Sequence, residues 1–523
     1  MAQKVLERIR PAGRRVVEPI AGPEALRRPD NRVIEAVPGI VSWVVVLAPI
    51  WLTALNPQAG IAFVTAVTLY FALRVSSFGL RSLLNRHRVL DGARRDWLAE
   101  LERLERSDWR HYHLTLLIRA FREGNRDMLR QTLCSIYASN WPRERGQLRN
   151  VEVVFATEED DPITPPLVEE LAAEFAGKLA IRQVRHPNVP GHLPGPSSAM
   201  HHAGKVIYRQ ALEAGLSPQH CIVADFDCDT LFHPQYLPAL VFQYATDEFR
   251  HRHVYQPVVL FTTEYWNAPL HSRLSAIGTS VLTLGWLKQP EIAFTGAAAS
   301  LALLKSVDFW PTNSHSQDSG IELRLRLRYG ADFKVVGVPV PLSVYPVMVV
   351  GGGQTVRTSI QAYVRSFRAL FRQSARWREG PLDEFVESVV HRNAGLTLRK
   401  LWNGLERDTL TLLPAAGPIA AQYVILVLGR QDPSHMLAPL ALAITAVLTL
   451  VSALGVLAFG QVLSTKEFIH AEKPFWRKIV ELIAFWAVFS IYVPILTACA
   501  GLKTSTSYLL GRRPRGHYVP TPK

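Results

Sequence analysis

The apolar residues of this chain are concentrated in five long segments on either side of an extended polar region. These segments are residues 39–55, 60–75, 409–428, 436–459 and 479–502. Each is close to the ~20 residues that a helix needs to cross the hydrocarbon core of a bilayer. Only a turn-forming Asn-Pro-Gln-Ala sequence at residues 56–59 separates the first two, which predicts a helical hairpin. The chain is therefore expected to place a soluble domain between membrane-spanning helices.

The arginine residues predict which side of the membrane the polar region occupies, because cytoplasmic loops carry an excess of Lys and Arg. Arginines are abundant before the first apolar segment and again after the second. They are Arg8, Arg10, Arg14, Arg15, Arg27, Arg28 and Arg32, and then Arg74, Arg81, Arg86, Arg88, Arg94 and Arg95. Both flanks are expected to be cytoplasmic, so the polar region up to residue 408 is predicted to be cytoplasmic as well.

The C-terminal tail conflicts with three further spans. Its basic residues are Arg512, Arg513, Arg515 and Lys523. They favour the cytoplasm, whereas three spans after the polar region would place the tail outside. Either one of the three segments is re-entrant or interfacial, or a fourth span exists. Residues 409–428, which contain Pro414 and Pro418, are the leading candidate, and a cytoplasmic tail is expected.

The net charge of +14 does not by itself indicate a nucleic-acid-binding protein. The basic residues gather beside the apolar segments, where the positive-inside rule and attraction to anionic lipids account for them. Membrane lipids are therefore the predicted partners, and nucleic acid is not. The four cysteines, Cys134, Cys221, Cys228 and Cys499, form no C-x-x-C pair. This spacing argues against a zinc site or a disulfide framework and fits a reducing compartment.

The polar region between residues 112 and 345 has the pattern of an α/β domain. Apolar runs of strand length alternate with amphipathic stretches of helical length. Strands are predicted at residues 112–118, 151–156, 179–184 and 221–224, and helices at 127–139, 165–177 and 199–214. This alternation predicts a mostly parallel sheet with helices on both faces. Ligands of such sheets bind at the carboxyl ends of the strands.

Acidic side chains follow two of the predicted strands, at the edge where a ligand is expected. They are Glu158, Glu159, Asp160 and Asp161 after one strand, and Asp225, Asp227 and Asp229 after another. Asp227 and Asp229 are expected on the same side of an extended strand end, because side chains alternate with a period of two. Carboxylate oxygens suit Mg²⁺ or Mn²⁺, and such a cation stabilises a departing diphosphate. The sequence favours a metal site here over the alternative of an acid-rich surface turn.

A further acid, Asp318, is predicted to be a general base, since a carboxylate within hydrogen-bond reach can accept the proton of an attacking hydroxyl. It lies in a polar loop at residues 311–319, before a predicted helix at residues 320–328. The alternative is that Asp318 caps this helix, a position that aspartate favours. Locally the two interpretations are equally good, and the other acidic residues favour the base.

Gln373, Arg376 and Trp377 are predicted to share one face of a helix, because residues three and four apart are neighbours. Arg376 can neutralise a diphosphate, and Trp377 offers a flat apolar surface to a sugar. The surrounding residues 355–399 have an apolar face and an arginine-rich face, which is typical of helices at a membrane surface. The alternatives are a helix packed on the soluble domain and an ordinary interfacial helix with a tryptophan anchor.

The Phe294-Thr295-Gly296 sequence is followed by small residues at positions 297–300. This pattern predicts a loop in which the backbone can approach a substrate. A core turn between a strand and a helix is the alternative.

In this order, the acidic cluster at 225–229, the Phe-Thr-Gly loop, Asp318 and the Gln-x-x-Arg-Trp sequence resemble the membrane-integrated family-2 glycosyltransferases. That group includes the cellulose, chitin and hyaluronan synthases. The resemblance covers roughly residues 110–380 and the apolar segments on both sides. It implies a cytoplasmic α/β glycosyltransferase domain inserted between transmembrane helices, with amphipathic interfacial helices. It also implies an inverting hexosyltransferase that uses a nucleotide sugar, usually UDP-linked.

The resemblance also assigns roles to individual residues. It implies nucleoside or nucleotide-sugar contacts by Glu123, Glu158 or Asp160, metal binding by Asp227 and Asp229, diphosphate contact by Asp227, base catalysis by Asp318, and closure of the site by Gln373, Arg376 and Trp377. The implied cofactor is Mg²⁺ or Mn²⁺.

Three positions depart from the family pattern. Gln317 stands where a glutamate usually precedes the base. Residues 195–202 lack the usual Lys and Asn near the diphosphate, which leaves His201 or Lys205 as candidate substitutes. The first acidic cluster begins with Glu158, where the better-known synthases have aspartate.

The predicted organisation has six parts in a multi-pass protein of the cell membrane. They are a basic cytoplasmic tail (1–36), a transmembrane hairpin (37–80), a cytoplasmic glycosyltransferase domain (81–350), interfacial helices (351–408), transmembrane helices (409–503) and a basic tail (504–523). The expected reaction extends a polysaccharide and passes it through the spans. The alternatives are transfer of a single sugar to a lipid acceptor and a non-catalytic subunit that binds a nucleotide sugar. No protein partner is predicted.

Overall fold

The structure is a computed structural model of the 523-residue chain. It describes residues 29–104, 109–288, 290, 292, 295–312, 314, 316–348, 356–428 and 495–512, together with the single residues 453, 457, 460 and 476. The α/β character predicted for the polar region is confirmed, since strands and helices alternate from residue 113 to residue 343.

The strands of the described part are numbered in chain order. They are β1 (His113–Arg119), β2 (Arg143–Glu144), β3 (Gln147–Leu148), β4 (Val151–Glu158), β5 (Ala180–His186), β6 (Cys221–Asp227), β7 (Leu231–Phe232), β8 (His253–Leu260), β9 (Ala298–Ser300) and β10 (Lys334–Ser343). Eight of them form one sheet in the order β5-β4-β1-β6-β9-β8-β10-β7, and β2 pairs with β3 in a separate hairpin.

The helices are numbered in the same way. They are α1 (Pro29–Val46), α2 (Ala48–Leu55), α3 (Pro57–Arg94), α4 (Trp97–Glu102), α5 (Arg126–Tyr137), α6 (Thr164–Glu174), α7 (Pro196–Glu213), α8 (Tyr236–Thr246), α9 (Leu270–Trp286), α10 (Leu301–Ser306), α11 (Gln317–Tyr329), α12 (Val356–Val390), α13 (Ala394–Leu405), α14 (Leu413–Val427) and α15 (residues 495–509). A π-helix, Glu406–Leu410, lies between α13 and α14.

The sheet of the described residues is mixed: four of its strand pairs are parallel, including β8 with β10, and three are antiparallel. Strands β5, β4, β1 and β6 are parallel neighbours, as the sequence indicated. Beyond β6, the three-residue strand β9 runs antiparallel to both β6 and β8. It consists of Ala298, Ala299 and Ser300, too few and too small to produce a strand pattern in the sequence. The last pair, β10 with β7, is also antiparallel.

Helices cover both faces of the sheet, as predicted. Successive side chains of β1 enter different cores because they alternate across a strand. Leu114, Leu116 and Ile118 pack in a core with residues of α4, α5, α6 and α8. Leu117, between them, packs in a second core with residues of α7, α10 and α11. A strand buried on both faces has the continuous apolar sequence that β1 and β4 show.

Among the described residues, α3 is the one helix that is long and apolar enough to cross a membrane. Helices α1 and α2 meet the same criterion only when they are taken together, and they are bent by 53° at their junction, as in a broken span or a re-entrant loop. Asn56 separates α2 from α3, and its side chain accepts a hydrogen bond from the N–H of Gln58 at 2.9 Å, which caps α3. The described helices thus form a hairpin whose first arm is broken.

Helix α3 continues beyond residue 80, where the soluble domain was predicted to begin, and ends at Arg94. Its last turns pack on the sheet domain. The side-chain amide of Asn85 donates to the carbonyl of Leu284 in α9, and a Cβ on Gly92 would collide with the carbonyl oxygen of Pro339 in β10. One continuous helix therefore joins the apolar hairpin to the sheet.

The apolar segment predicted at residues 409–428 forms the end of the π-helix and the 15-residue helix α14, which contains Pro418. Apart from the single residues 453 and 457, the predicted span at 436–459 lies outside the described residues, as does most of the one at 479–502. The described end of the chain, α15, packs beside α1, where the indole N–H of Trp43 donates to the hydroxyl of Thr506 at 2.8 Å.

Candidate active site

The carboxyl ends of β1 and β6 place an arginine beside the Asp-x-Asp sequence. Arg119 is the last residue of β1, and it pairs in register with Asp227, the last residue of β6. Its side chain is 7% exposed, and arginine is rarely buried to this extent unless it is paired. Sequence reasoning missed Arg119, although it is the one charged residue within the apolar run of β1.

The guanidinium of Arg119 contacts three carboxylates. Its Nε donates to Asp227 Oδ1 at 2.7 Å. Its Nη1 donates to Asp225 Oδ2 at 3.2 Å and to Asp318 Oδ1 at 3.3 Å. We call Arg119, Asp225, Asp227 and Asp318 the Arg119 cluster. The structure thus brings the predicted base together with the Asp-x-Asp sequence, and the group that joins them is a side chain of β1.

Asp318 lies in the first turn of α11, because this helix begins at Gln317 rather than at residue 320. The residue at the cap position is Ser316, so Asp318 is neither a loop residue nor the cap. The amide of Gln317 lies 3.5 Å from Asp318 Oδ2 and can donate to it. With its side chain 18% exposed, Asp318 retains access to solvent and to a substrate.

The electrostatics of the cluster favour protonated carboxyl groups. Burial raises the pKa of Asp225 well above its usual value, the neighbouring Asp318 adds to this effect, and Arg119 opposes it. Burial also raises the pKa of Asp318, again against the influence of Arg119. A single guanidinium therefore does not fully compensate three carboxylates, and the cluster can take up a proton at a pH where an exposed aspartate cannot.

Thr295 and Gly296, from the Phe-Thr-Gly sequence, hold the end of β6 in place. The hydroxyl of Thr295 accepts a hydrogen bond from the backbone N–H of Asp227 at 2.9 Å. Gly296 has a φ of +93°, and a Cβ there would lie 2.6 Å from side-chain carbons of Pro257 and Leu342. In the structure these two residues act as a core turn that fixes Asp227. Phe294 lies outside the described residues.

The two predicted metal ligands have different environments. The side chain of Asp227 is 38% exposed. Asp229 is buried, and its Oδ2 accepts a hydrogen bond from the backbone N–H of Tyr345 at 3.3 Å. The alternation argument extends only as far as the strand, and β6 ends at Asp227, so that Asp229 lies in the following turn. Asp227, with its exposed oxygen donors, therefore fits a hard divalent cation better than Asp229 does.

Of the first acidic cluster, Glu158 is enclosed and Asp160 is exposed. Glu158 Oε2 lies 2.7 Å from His186 Nδ1, and Oε1 accepts the backbone N–H of Gly195 at 2.8 Å. With both oxygens engaged, Glu158 holds the loop before α7. Asp160 lies at the surface after β4.

Asp161, the last residue of the first acidic cluster, fixes the loop that follows β1. It is buried, and its Oδ2 accepts the backbone N–H of Arg122 at 2.6 Å. The next residue, Glu123, is partly exposed, and its Oε2 lies 3.7 Å from Cys228 Sγ. Glu123 is therefore beside the turn that follows Asp227, close to the Arg119 cluster along the same edge of the sheet.

The residues offered as substitutes for the missing Lys and Asn are engaged elsewhere. His201 is buried, and its Nδ1 lies 2.8 Å from the carbonyl oxygen of Trp310. Burial lowers the pKa of His201 to about 4, so the ring is neutral near pH 7 and supplies no positive charge. Lys205 Nζ lies 3.5 Å from Asp308 at the surface.

Gln373, Arg376 and Trp377 lie in α12, and Gln373 is buried while the other two are partly exposed. Contacts from the C-terminal part of the chain hold this turn. Thr504 donates to the carbonyl of Ala375 at 3.0 Å, and Arg407 donates to that of Trp377 at 3.4 Å.

The same helix packs on the start of α11. A Cβ on Gly380 would lie 2.5 Å from Cβ of Ser316, and Asp383 accepts a hydrogen bond from Ser314 at 3.1 Å. The turn that carries Arg376 and Trp377 is therefore the one just before the contact with the helix of Asp318.

No protein-family model matches the sequence, and no curated protein is significantly similar to it. The chain is similar to a solved structure described as the crystal structure of GalNAc-T7 with UDP, GalNAc and Mn²⁺, with 11% sequence identity and a TM-score of 0.30. The match covers 61% of this chain and 58% of that chain. A similarity of this size carries no information about the chemistry of the site.

Proposed function

We propose that this chain is an inverting, metal-dependent glycosyltransferase that moves a sugar from a nucleotide sugar to a polysaccharide at the cytoplasmic face of the cell membrane. The observation that best supports the proposal is the Arg119 cluster. Two carboxylates from the end of β6 and one from the first turn of α11 meet at the carboxyl edge of the sheet, which is where α/β sheets bind ligands.

Asp318 is the proposed general base. The acceptor hydroxyl loses its proton to Asp318 as its oxygen attacks the anomeric carbon, and the bond from that carbon to the diphosphate breaks on the opposite side. One displacement of this kind inverts the anomeric centre. A carboxylate whose pKa is raised by burial is a stronger base near neutral pH than an exposed one, which suits this role.

Asp227 is the residue that would hold Mg²⁺ or Mn²⁺, with Asp229 as a supporting residue behind it. The cation, when bound, would neutralise charge on the departing nucleoside diphosphate. Thr295 fixes the backbone of Asp227, so its carboxylate is positioned before any ligand arrives.

The remaining candidate residues are proposed to complete the site around this centre. Arg376 is the proposed diphosphate clamp, and Gln373 and Trp377 are the proposed contacts to the acceptor end. The packing of α12 on α11 supports this assignment, because it places their helix against the helix of Asp318. Glu123 and the exposed Asp160 are the proposed contacts to the nucleoside, and Glu158 shapes the loop behind them.

The test is a transfer assay with purified protein in lipid. A panel of UDP-linked and other nucleotide sugars is supplied with Mg²⁺ or Mn²⁺, and both free nucleoside diphosphate and sugar-labelled product are measured. Release of nucleoside diphosphate with one donor, abolished by chelation of the metal, is the expected result. Neither release nor transfer with any donor would refute the proposal and leave a non-catalytic binding subunit.

The size of the product separates the two acceptor classes. A polymer supports polysaccharide extension. One added sugar on a lipid supports the alternative of single-sugar transfer, with the same donor chemistry and the same base.

A further inference from the structure

Arg119 is a fixed positive charge at the point where a divalent cation is proposed to act. Its guanidinium is almost completely buried between β1, β6 and α11, and all three of its named contacts are carboxylates. The closest is Asp227 Oδ1, at 2.7 Å from Nε. The residue proposed to hold the metal is therefore already paired with a cation that belongs to the chain.

A free divalent cation meets two obstacles at Asp227. It must share a carboxylate whose one oxygen already accepts a charge-assisted hydrogen bond, and it must approach a guanidinium that cannot lose its proton. In a site with little water, the repulsion between these like charges is only weakly screened.

A diphosphate changes this balance because it brings negative charge between the two cations. A cation that arrives bound to a nucleoside diphosphate belongs to a complex of net negative charge, and the guanidinium that repels the free cation attracts this complex. Arg119 would therefore couple the binding of metal to the binding of the donor.

We propose that Arg119 is the positioning residue of this site, an inference that rests on the proposed function. Arg119 holds Asp227 and Asp318 together and weakens the binding of free metal to Asp227. Metal therefore binds tightly only together with a diphosphate. The consequence is a preference for the metal complex of the nucleotide sugar over sequential binding of metal and donor.

The experiment measures binding of Mn²⁺ to the full chain in detergent by electron paramagnetic resonance, with and without UDP and without any sugar transfer. For the wild type we expect weak binding of Mn²⁺ alone and an affinity about 10-fold or more higher with UDP. Arg119→Gln should bind Mn²⁺ alone about 10-fold or more tightly than the wild type, with less gain from UDP. Arg119→Lys retains the charge and should resemble the wild type.

Tighter binding is an outcome that mere structural damage does not produce, since damage to a site weakens metal binding. Arg182→Gln is the matched control, because Arg182 also pairs across strands, with Glu152, but lies in the edge strand β5, two strands from β1. It should leave the Mn²⁺ affinity unchanged. Adding Asp227→Asn to the Arg119→Gln variant should abolish the tight binding of Mn²⁺ that is expected for Arg119→Gln alone.

Removal of Arg119 leaves carboxylates without compensation and can prevent folding. The pair Asp225→Asn and Arg119→Gln/Asp225→Asn avoids this problem, since the double variant removes one charge of each sign. The two differ only at Arg119, and the double variant should bind Mn²⁺ alone more tightly. Equal or weaker binding in folded protein, or no Mn²⁺ binding by any variant, would overturn the proposal.

The outcome is independent of sugar transfer. Tighter Mn²⁺ binding on loss of Arg119, with no nucleotide sugar consumed, would support the positioning role and refute the transferase. Active transfer with an unchanged Mn²⁺ affinity would do the reverse.

Discussion

The role proposed for Asp318 rests on a contact across 199 residues of sequence. Its neighbours in sequence support a helix cap as well as they support a base, and both interpretations depend on local pattern alone. The structure excludes the cap, because α11 begins at Gln317, and it places the carboxylate of Asp318 beside Arg119. The partner is a charged residue in an otherwise apolar strand, which is the one signal in the sequence that could have indicated it.

Replacement of Asp318 by asparagine tests the base directly. Asp318→Asn keeps the size of the side chain and loses the proton acceptor, so turnover is expected to fall by about 10²–10⁴-fold. Nucleoside diphosphate release by purified protein is the measurement.

Asp308→Asn provides the control. Asp308 is exposed, and its positive φ of +54° is one that asparagine also adopts readily. It should retain wild-type turnover. An Asp318→Asn variant as active as the wild type would exclude Asp318 from proton transfer.

Thr295 illustrates a residue that serves the site through the backbone. It is buried, and its hydroxyl accepts the N–H of Asp227 and lies 2.9 Å from the hydroxyl of Thr230. Thr295→Val keeps the shape and leaves that N–H without an acceptor, which should lower the free energy of unfolding by about 1–3 kcal/mol.

Urea unfolding measures the change at Thr295. Thr295→Ser retains the hydroxyl and should lose much less stability. If the valine and serine variants unfold at the same urea concentration, the hydrogen bond to Asp227 contributes nothing.

At the scale of elements, the sequence predicted β1, β4, β5 and β6 and missed the other described strands, including β8, whose eight residues are all buried. The apolar runs of β1, β4 and β6 give a signal because both of their faces are buried. Strand β9 has no such run, since its two alanines and one serine are held only by their neighbours β6 and β8. The parallel strands β4, β1 and β6 were therefore predictable, whereas the change to antiparallel pairing at β9 was not.

The boundaries of elements explain the other differences. The end of β6 at Asp227 separates Asp227 from Asp229, and the start of α11 moves Asp318 into a helix. Such ends depend on hydrogen bonds from distant residues, such as the one between Asp229 and Tyr345. Apart from Arg119, the candidate site residues could be proposed from the sequence, whereas their division between exposed and enclosed positions could not.

The contact between α12 and α11 gives a prediction at this scale. Gly380→Ala places a methyl group against Ser316 and Ser319 at the start of α11, and overpacking of this kind costs about 1–3 kcal/mol. Because the contact orients Asp318 and the turn of Arg376, turnover should fall more than stability does. Transfer assays and thermal unfolding of the same samples measure the two effects.

Gly395→Ala is the matched glycine variant. Gly395 lies in the first turn of α13, and the nearest atom to a new Cβ is 3.8 Å away. It should be neutral or slightly stabilising. Equal turnover in the two variants would mean that the contact at Gly380 does not orient the site.

Across the whole molecule, α12 links the sheet domain to both ends of the described chain. Its Asp383 accepts hydrogen bonds from Ser314 beside α11 and from the hydroxyl of Tyr508 in α15, at 3.1 and 2.8 Å. Helix α15 in turn contacts α1 through Thr506 and Trp43. Two further acidic residues of α12, Glu379 and Glu387, are partly enclosed by the surrounding elements.

This enclosure predicts how stability depends on pH. Burial raises the pKa of Glu379 to about 8 and that of Glu387 to about 7, from a usual value of 4.5. Between the usual pKa of a glutamate and these raised values, the folded chain binds more protons than the unfolded chain. Its stability should therefore decrease as the pH rises from about 5 to about 8. Glu379→Gln removes one of these groups and should reduce the loss of Tm over that range by about 1–3 °C.

Thermal unfolding at pH 5.5 and 8.5 in the same detergent provides the measurement. Glu213→Gln, at an exposed position on α7, should leave the loss of Tm as it is in the wild type. A Glu379→Gln variant with an undiminished loss would show that Glu379 ionises freely in the folded chain.

Helix α3 has 38 residues and no internal break, and at 1.5 Å per residue it is about 57 Å long. The hydrocarbon core of a bilayer is only about 30 Å thick, so in the proposed membrane-spanning arrangement much of the helix would stand outside it. The helix has no hinge, and it is anchored on α9 by Asn85 and on β10 by Gly92. In that arrangement a tilt of its apolar half would be carried to β10 and α9, and bilayer thickness would influence the position of the sheet above the lipid.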